Sequence, residues 1–308
     1  MPFANVLCMS LAYGRPFANV LCMSLAYGRP VALSWAWSEL GEMLTYPFMV
    51  KAFLVGTCLA ICAGLLGETL VVKHLSFMGD GLSHVAFGAM ALATVWEISP
   101  FYLALPVVLL AAIFLLRRPT GAQALHGDAV LALMATGSLA LGVTVISLKQ
   151  GLNLNISSYL FGSILSLGKE DVAWAVALGI VIPALYILFY PRIFALTFDE
   201  TFAKACGVNT ERAKVFLAFL MAPVILLGLR LMGALLISGL LFLPAITAQN
   251  LAKSYKGVLV GAVVVAVLGL WGGLTLSFIA NTPAGASVIL CLLGTYGLSF
   301  IPRRFPRE

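Results

Sequence analysis

A carboxylate and an imidazole lie four residues apart in the stretch GDGLSH, residues 79–84. The stretch opens an apolar run that continues to Trp96, so both groups enter a segment that is otherwise compatible with lipid. Residues at positions i and i+4 of a helix lie on the same face, one turn apart. Asp80 and His84 are therefore candidate ligands for one divalent cation. Ionisable groups are costly inside a membrane segment, which favours a functional interpretation of the pair.

A second interpretation of the same pair needs no metal. Asp80 follows a glycine and precedes the apolar run, which is where the N-cap of a helix belongs. Its carboxylate would then accept the amide hydrogen of Ser83, and His84 would be a histidine of the helix core. The residues alone leave both interpretations open.

The composition identifies an integral membrane protein. Of the 308 residues, 62% are hydrophobic and only 10% are charged, with a mean hydropathy of +1.06. A soluble domain carries about 25% charged residues, and fewer cannot cover a water-exposed surface. The net charge of +6 does not indicate nucleic acid, because the basic residues cluster at the ends of apolar runs. The cysteines lack metal-finger spacing, and we expect no disulfides.

The first 42 residues differ in character from the rest. The segment Pro2–Arg15 is repeated without change in Pro16–Arg29, and each copy holds too few apolar residues to span a bilayer. We interpret residues 1–42 as an N-terminal extension without function, arising from a duplication or from a start upstream of the true one. Residues 43–308 are predicted to form one transmembrane domain.

Charge-free apolar runs predict an all-α bundle of about eight to nine transmembrane helices. The spans cover about residues 47–66, 81–96, 101–116, 129–148, 172–190, 215–229 and 231–248, followed by two within 257–302. The turn at residues 281–283 divides these last two, since Asn and Pro favour turns. The apolar stretch 153–168 is interrupted by polar residues and is predicted to be interfacial or re-entrant.

The distribution of lysine and arginine predicts the orientation of the spans. Basic residues follow alternate crossings, so they share the cytoplasmic side if the transmembrane domain begins outside and ends inside. The cytoplasmic set comprises Lys73, Arg117, Arg118, Arg192, Lys204, Arg212, Lys214, Lys253, Lys256 and the tail from Arg303 to Arg307.

The polar segment 198–214 contains a short helix signal. In FDETFAKACGV, residues 198–208, acidic residues begin the helix, Lys204 lies near its end and Gly207 closes it. Either this helix lies on its own bundle or it docks into a groove on a soluble partner. The candidate docking residues are Asp199, Glu200, Ala203, Lys204 and Gly207.

The chain has no convincing nucleotide-binding loop. The stretch GSILSLGKE, residues 162–170, has five residues between its glycines and a glutamate where a hydroxyl must hold magnesium. ATP-driven transport would therefore need an ATPase on another chain, and we predict no enzymatic activity for this one.

Five stretches together resemble the membrane permeases of bacterial ABC importers for zinc, manganese and related metals. They are GDGLSHVAFGAMAL (79–92), SYLFGSIL (158–165), FDETFAKACGV (198–208), LMGALLISGLLFLPAITA (231–248) and NTPAGASVILC (281–291). The resemblance implies a fold similar to that of the cobalamin and siderophore importers, the type II ABC importers. It maps the family's D-x-x-x-H pair onto Asp80 and His84, and its ATPase-contacting helix onto about residues 199–208.

The resemblance also implies an assembly and a substrate. Such permeases are homodimers in the inner membrane, surrounded by lipid, with one translocation path between the subunits. Two copies of a cytosolic ABC ATPase bind below, and a periplasmic or surface-tethered binding protein delivers the metal. We therefore expect transported Zn²⁺, with Mn²⁺ or Fe²⁺ as alternatives, no permanently bound cofactor and no nucleic-acid partner.

The metal-ion importer and the alternative functions require different residues. Two ligands are too few for a closed zinc site, so a dimer or water would complete the shell, with Glu68 as a third-ligand candidate. A weak site suits an ion that must leave again. A same-fold importer of a metal chelate or siderophore would not need Asp80 and His84. An ion-coupled secondary metal transporter would need carboxylates in several spans.

Overall fold

The computed structural model describes residues 43, 45–117, 125–148 and 168–300 as an all-helical bundle. The helices with described bounds are α1 (Pro47–Val72), α2 (Met78–Val95), α3 (Pro100–Leu116), α4 (Leu125–Leu148), α5 (Lys169–Leu188), α6 (Tyr190–Phe198), α7 (Glu200–Ala205), α8 (Thr210–Met232), α9 (Ala234–Leu251), α10 (Tyr255–Ala280) and α11 (Ala284–Leu298). No strand occurs within these ranges. The predicted all-α fold is confirmed.

Proline, glycine and asparagine set several helix ends. Pro47 and Pro100 lie in the first turns of α1 and α3, where no intrahelical hydrogen bond is lost. Gly233 separates α8 from α9 with a φ of 86°, and Asn281 ends α10 in the left-handed conformation with a φ of 51°. Pro283 then precedes α11, so the predicted turn at 281–283 is confirmed.

Helices α8 and α9 form the centre of the bundle. Most of their apolar length is buried, whereas little of α4 and α5 is buried. Helix α8 packs against α1, α2, α3 and α9, and α9 packs against α1, α2, α10 and α11. Because lipid is as apolar as these side chains, close packing rather than escape from water holds such helices together.

Glycines allow two close helix crossings in this core. A Cβ atom on Gly67 of α1 would meet the carbonyl oxygen of Leu241 in α9. A Cβ atom on Gly273 of α10 would meet the Cα atom of Val288 in α11. No side chain fits at either position, so these helices contact each other through backbone atoms, as small residues permit in membrane bundles.

Six helices of the described chain are long and apolar enough to cross a membrane: α1, α4, α5, α8, α9 and α10. Helices α3 and α11 are apolar but shorter. Helix α2 is not among the six, since its first two turns carry Asp80 and His84. Each predicted span coincides with a helix, but fewer helices reach full spanning length than the eight to nine predicted.

Some predictions concern residues outside the described ranges, namely the extension 1–42 and the segment 153–168, of which only Gly168 is described. Helix α6 was missed by the sequence prediction, which ended the fifth span at Tyr190 before Pro191. Pro191 instead lies in the first turn of α6. Four cysteines are described, and each is a free thiol in the structure: Cys58, Cys62, Cys206 and Cys291.

Two ion pairs show which helix ends lie together. The Nε atom of Arg117, after α3, lies 3.3 Å from Oε2 of Glu211 in the first turn of α8. At the far end of α8, Nη2 of Arg230 lies 3.3 Å from Oδ1 of Asp171 in the first turn of α5. The end of α3 and the start of α8 are on one side of the bundle, and the end of α8 and the start of α5 on the other, as alternating crossings require.

Candidate metal site and docking helix

Glycines on both sides of Asp80 bring α2 into close contact with two neighbours. A Cβ atom on Gly79 would lie 2.6 Å from Cδ1 of Leu241 in α9. A Cβ atom on Gly81 would lie 3.0 Å from Cδ2 of Leu131 in α4. The sequence Gly-Asp-Gly therefore places Asp80 at the junction of α2, α4 and α9.

Asp80 lies inside the first turn of α2 rather than before it. Helix α2 begins at Met78, and its N-cap residue Phe77 makes no side-chain capping hydrogen bond. The hydroxyl of Ser83 donates to the backbone carbonyl of Asp80 at 2.7 Å. The interpretation of Asp80 as an N-cap is therefore wrong, because the helix starts two residues earlier.

Asp80 and His84 define a partly exposed strip along one side of α2. The Nε2 atom of His84 lies 3.7 Å from Oδ2 of Asp80, and their side chains are 18% and 48% exposed. The neighbours Leu82 and Ser83 are completely buried. Asp80 also lines a cavity of about 280 Å³ between α2 and α4, whose other lining residues are apolar. A cation entering this cavity would meet a carboxylate with little competition from other polar groups.

The separation of the two ligand atoms suits one shared metal ion. Zinc lies about 2.0–2.2 Å from such oxygen and nitrogen atoms, so two atoms 3.7 Å apart subtend an angle of about 120° at the ion. The described part of the chain contains no group of three or more His, Cys, Asp or Glu residues that could hold a metal. Within the described residues, the pair therefore offers at most two ligand side chains to such an ion.

Glu68, the third-ligand candidate, has a different environment. Its carboxylate accepts hydrogen bonds from Nε2 of Gln249 in α9 at 3.2 and 3.3 Å. It lines a cavity of about 400 Å³ together with His74 and Lys253, separate from the cavity beside Asp80. The structure therefore links Glu68 to α9 and not to the metal pair.

Asp199 caps the short helix α7. Its carboxylate accepts hydrogen bonds from the backbone N–H groups of Thr201 and Phe202, at 2.8 and 3.1 Å, and from the Thr201 hydroxyl. The hydroxyl of Thr201, followed by the N–H of Phe202, holds the pKa of Asp199 below its ordinary value. Gly207 follows with a φ of 79°, a conformation that favours glycine. The helix predicted within residues 198–208 is confirmed.

Two of the predicted docking residues face their own subunit. Ala203 is completely buried, and the Glu200 side chain is only 18% exposed. The expectation that Ala203 offers a small surface to a partner is wrong, because α7 packs on α6 and α8. The outward surface of α7 is formed by Thr201, Phe202, Lys204 and Ala205.

A series of alternating charges connects α7 to α8 and α3. The Nζ atoms of Lys204 and Lys214 lie 3.2 and 2.7 Å from Oε1 of Glu200. Lys214 also lies 3.5 Å from Oε1 of Glu211, which pairs with Arg117. The Lys214 side chain is 5% exposed, so it is almost completely buried between two carboxylates. We name these five residues the charge chain.

The charge chain shifts the pKa of its member Glu200 and of the neighbouring Lys73. Burial alone would raise the pKa of Glu200, but hydrogen bonds from Lys214 and Lys204 outweigh it and hold that pKa below its ordinary value. Burial lowers the pKa of Lys73, which follows α1, while Glu200 opposes this shift and Lys214 adds to it. Lys73 therefore lies within electrostatic reach of the charge chain, in the connection that leads to Asp80.

Sequence reasoning did not find the charge chain. One signal was present, because Glu211 and Lys214 begin a long apolar helix at a spacing that puts both on one face. Their other partners, Glu200 and Arg117, lie on different helices, so only the fold brings the five charges together.

Several helices are able to span a bilayer, one packed helix carries the Asp80–His84 pair, and the charged helix α7 lies at one end of the bundle. The fold and the site together define a polytopic membrane transport protein. Residues 45–303 match the model of the ABC 3 transport family. The chain belongs to this family. It is a multi-pass permease of the bacterial inner membrane, as predicted.

Curated relatives match this chain over almost their whole length. The chain is 32% identical over 247 residues to the high-affinity zinc uptake system membrane protein ZnuB of Buchnera aphidicola subsp. Acyrthosiphon pisum, covering 80% of this chain and 94% of the relative. It is 29% identical over 259 residues to ZnuB of Haemophilus influenzae, covering 84% and 98%. It is 24% identical over 262 residues to the manganese transport system membrane protein MntC of Listeria monocytogenes, covering 85% and 93%.

Solved structures share the fold. PsaBC from Streptococcus pneumoniae, in complex with Fab, matches with a TM-score of 0.75 and 25% identity, over 86% of this chain and 95% of that chain. An inward-facing structure assigned to the metal-chelate type of ABC transporter matches with a TM-score of 0.60 and 17% identity, over 82% and 86%. The predicted type II ABC importer permease fold is confirmed by these matches.

Proposed function

We propose that the chain is the permease subunit of an ATP-driven importer of a divalent metal ion, zinc first, with manganese or iron as alternatives. The observation that carries the proposal is the Asp80–His84 pair, whose ligand atoms lie 3.7 Å apart on the partly exposed strip of α2. Carboxylate oxygen with neutral imidazole suits all three metals. The names of the relatives, ZnuB and MntC, support a metal substrate without choosing between zinc and manganese.

An ion in transit needs an incomplete site. Two protein ligands leave about two positions of a tetrahedral shell for water, so the ion keeps part of its hydration and can leave again. In a homodimer, a second Asp80–His84 pair could reach the same path, because the exposed strip of α2 is open to a neighbouring subunit. Two such pairs would bring four protein ligands to the proposed site.

The helix α7 is proposed to dock on a cytosolic ABC ATPase. Phe202 is 63% exposed on α7, and the exposed Lys204 lies two residues further along the helix. Aromatic side chains of this kind carry much of the binding energy of protein interfaces. Asp199 and Glu200, which were candidate contacts, instead fix the start of α7 and its position on α8.

The charge chain gives α7 a firm connection to the metal pair. Glu200 binds Lys214 in α8, and α8 packs directly on α2. Separating Glu200 from Lys214 is costly, because the buried ammonium group would lose its nearer carboxylate and keep only Glu211 at 3.5 Å. We propose that closure of the ATPase moves α7, that α8 transmits this movement to α2, and that Asp80 and His84 then open to one face at a time.

The opposite face of the bundle is proposed to receive the metal. The Asp171–Arg230 pair marks this face, since it ties together the start of α5 and the end of α8. A periplasmic or surface-tethered binding protein would deliver the ion there. Lipid would cover the outward sides of α4 and α5, of which little is buried.

Transport in proteoliposomes tests the proposal. The chain would be reconstituted with its ABC ATPase and its metal-binding protein, and uptake of radioactive zinc, manganese and iron(II) would be measured with and without ATP. ATP-dependent uptake of the free ion is expected. Uptake driven by a proton gradient without the ATPase would reveal a secondary transporter. Uptake of an iron–siderophore complex in place of free ions would reveal a chelate importer, and either result overturns the proposal.

A further inference from the structure

A groove of about 470 Å³ lies beside the docking helix, between α6 and the start of α8. Phe189 and Arg192 line one wall, and Arg212 and Phe216 line the other. The groove therefore combines two guanidinium groups with two aromatic rings. It lies where α5 ends and α8 begins, which is the membrane surface on the side of α7.

The two guanidinium groups in the groove have no acidic partner among the described residues. Three basic residues near this end differ from them, since Lys204, Lys214 and Arg117 are held by carboxylates. Arg192 instead lies over the ring of Phe189, at 5.4 Å from its centroid. Two arginines facing one cavity without an internal anion favour an anionic ligand from outside the chain.

Apolar side chains border the charged part of the groove. The rings of Phe189 and Phe216 lie 4.7 Å apart, so the two walls meet at these rings. On the membrane side, Leu188 directly precedes Phe189 at the end of α5, and Phe219 follows Phe216 by about one turn of α8. These two side chains are 70% and 60% exposed. The arginines of the groove are therefore bordered by exposed apolar side chains on the side that faces the bilayer.

We propose that this groove binds one anionic phospholipid, with its phosphodiester between Arg192 and Arg212 and an acyl chain along Leu188 and Phe219. A phosphodiester accepts hydrogen bonds from two arginines at once. Basic pockets between membrane helices on the cytoplasmic side are suited to such headgroups. An acidic peptide would satisfy the arginines but not the exposed apolar surface on the membrane side, so the lipid fits more of the groove. The orientation follows from the proposed function, whereas the binding itself requires neither transport nor an ATPase.

Native mass spectrometry of the full-length chain in detergent tests the proposal. The chain would be titrated with phosphatidylglycerol and, separately, with phosphatidylcholine of the same acyl chains. We expect one tight phosphatidylglycerol site, and binding about 30-fold weaker in the Arg192→Gln/Arg212→Gln double variant, since each arginine contributes independently to attracting the anion. Thermal melting in detergent checks that the variant remains folded.

A matched control removes two other positive charges from the same end of the bundle. Lys253 and Lys256 are exposed and lie outside the groove, so the Lys253→Gln/Lys256→Gln variant should keep the tight site. Equal weakening in both double variants would show a diffuse positive surface and overturn the proposal. Equal binding of phosphatidylcholine, or displacement of the lipid by millimolar inorganic phosphate, would also overturn it. So would displacement of the lipid by the purified ATPase, which would make the groove a protein-binding surface.

Discussion

The Nε2 atom of His84 lies 3.7 Å from the Oδ2 atom of Asp80, one turn apart on α2 and beside a cavity shared with α4. The helix that carries them packs tightly on its other faces, through Gly79 against α9 and through Gly81 against α4. The pair is thus held by a rigid support and exposed on one side only. This is the arrangement a transient ion site requires, because the ligands cannot rearrange to enclose the ion completely.

The Asp80→Asn and His84→Gln variants are expected to lose metal uptake while remaining folded. Each substitution keeps the side-chain size and removes one ligand, and the loss of a ligand weakens metal binding by at least about 10-fold. Uptake of radioactive zinc in proteoliposomes measures the effect. The control is Asp171→Asn, which also removes a carboxylate from the first turn of a membrane helix, but on the opposite face.

Wild-type uptake by both Asp80 and His84 variants would show that the pair is structural. A loss of uptake in Asp171→Asn of the same size would show a general sensitivity of the bundle to altered charge. Size-exclusion chromatography of each variant separates loss of function from loss of folding.

The Glu200–Lys214 pair is expected to couple ATP hydrolysis to transport. In the Glu200→Lys variant, two lysines face each other in a buried position, so α7 loses its hold on α8. We expect the metal transported per ATP hydrolysed to fall about 10-fold. The exchanged pair Glu200→Lys/Lys214→Glu restores opposite charges at the shortest contact of the charge chain but sets like charges against Lys204 and Glu211, so it should recover only part of this ratio.

The matched control for this coupling lies at the other end of α8. The Asp171→Arg variant breaks the ion pair between Asp171 in α5 and Arg230 in the last turn of α8, and it changes no contact of α7. This variant should leave the ratio of transport to hydrolysis unchanged. A fall of the same size in Asp171→Arg, or no recovery in the exchanged pair, would contradict a specific role for Lys214.

Much of the fold was predictable because lipid requires long uncharged segments. Each predicted span coincides with a helix, and the turn before α11 was marked by Asn281 and Pro283. Helix α6 was missed because Pro191 resembles a helix terminator, although proline is also favoured in a first turn. The ends of helices depend on such local alternatives, and the apolar pattern does not distinguish them.

The candidate site was predictable only in part. The spacing of Asp80 and His84 indicates a common face, but the capping alternative was excluded only once the helix was seen to begin at Met78. The orientation of α7 could not be predicted, since six residues are too few to show a buried face, and Ala203 was misplaced for that reason. Ion pairs between distant segments, such as Glu211 with Arg117, have no local signal.

The Phe202→Arg variant is expected to lose co-purification with the ATPase. Phe202 is 63% exposed on the outward surface of α7, and removing an aromatic anchor from an interface weakens binding by about 30-fold. The control is Tyr102→Arg, at the start of α3 on the other face, where the aromatic side chain is 78% exposed. Ala203→Arg should instead destabilise the permease itself, because Ala203 is completely buried. Unchanged co-purification of Phe202→Arg would exclude α7 as the docking helix.

The contribution of Glu200 to stability is expected to vanish in acid. Its pKa in the folded chain lies below the ordinary value, because the hydrogen bonds from Lys214 and Lys204 outweigh burial. Stability from this pairing is therefore fully present above the unfolded pKa of about 4.3 and is lost as the pH falls through the lower folded pKa. The difference in melting temperature between wild type and Glu200→Gln should be constant from about pH 8 to 5 and shrink below about pH 4. A difference that grows in acid would contradict the assignment.

The contact between α1 and α9 should not tolerate a side chain at Gly67. A methyl group there would meet the carbonyl oxygen of Leu241, a backbone atom that cannot move without displacing α9. We expect Gly67→Ala to destabilise the bundle by about 1–3 kcal/mol, as overpacked cores do, and to lower the melting temperature in detergent.

The control is Gly294→Ala in α11, where a Cβ atom meets nothing within 4 Å. This substitution should be neutral or stabilise the chain by up to about 1 kcal/mol, because glycine is unfavourable within helices. Equal melting temperatures for the two variants would show that α1 and α9 are not in backbone contact.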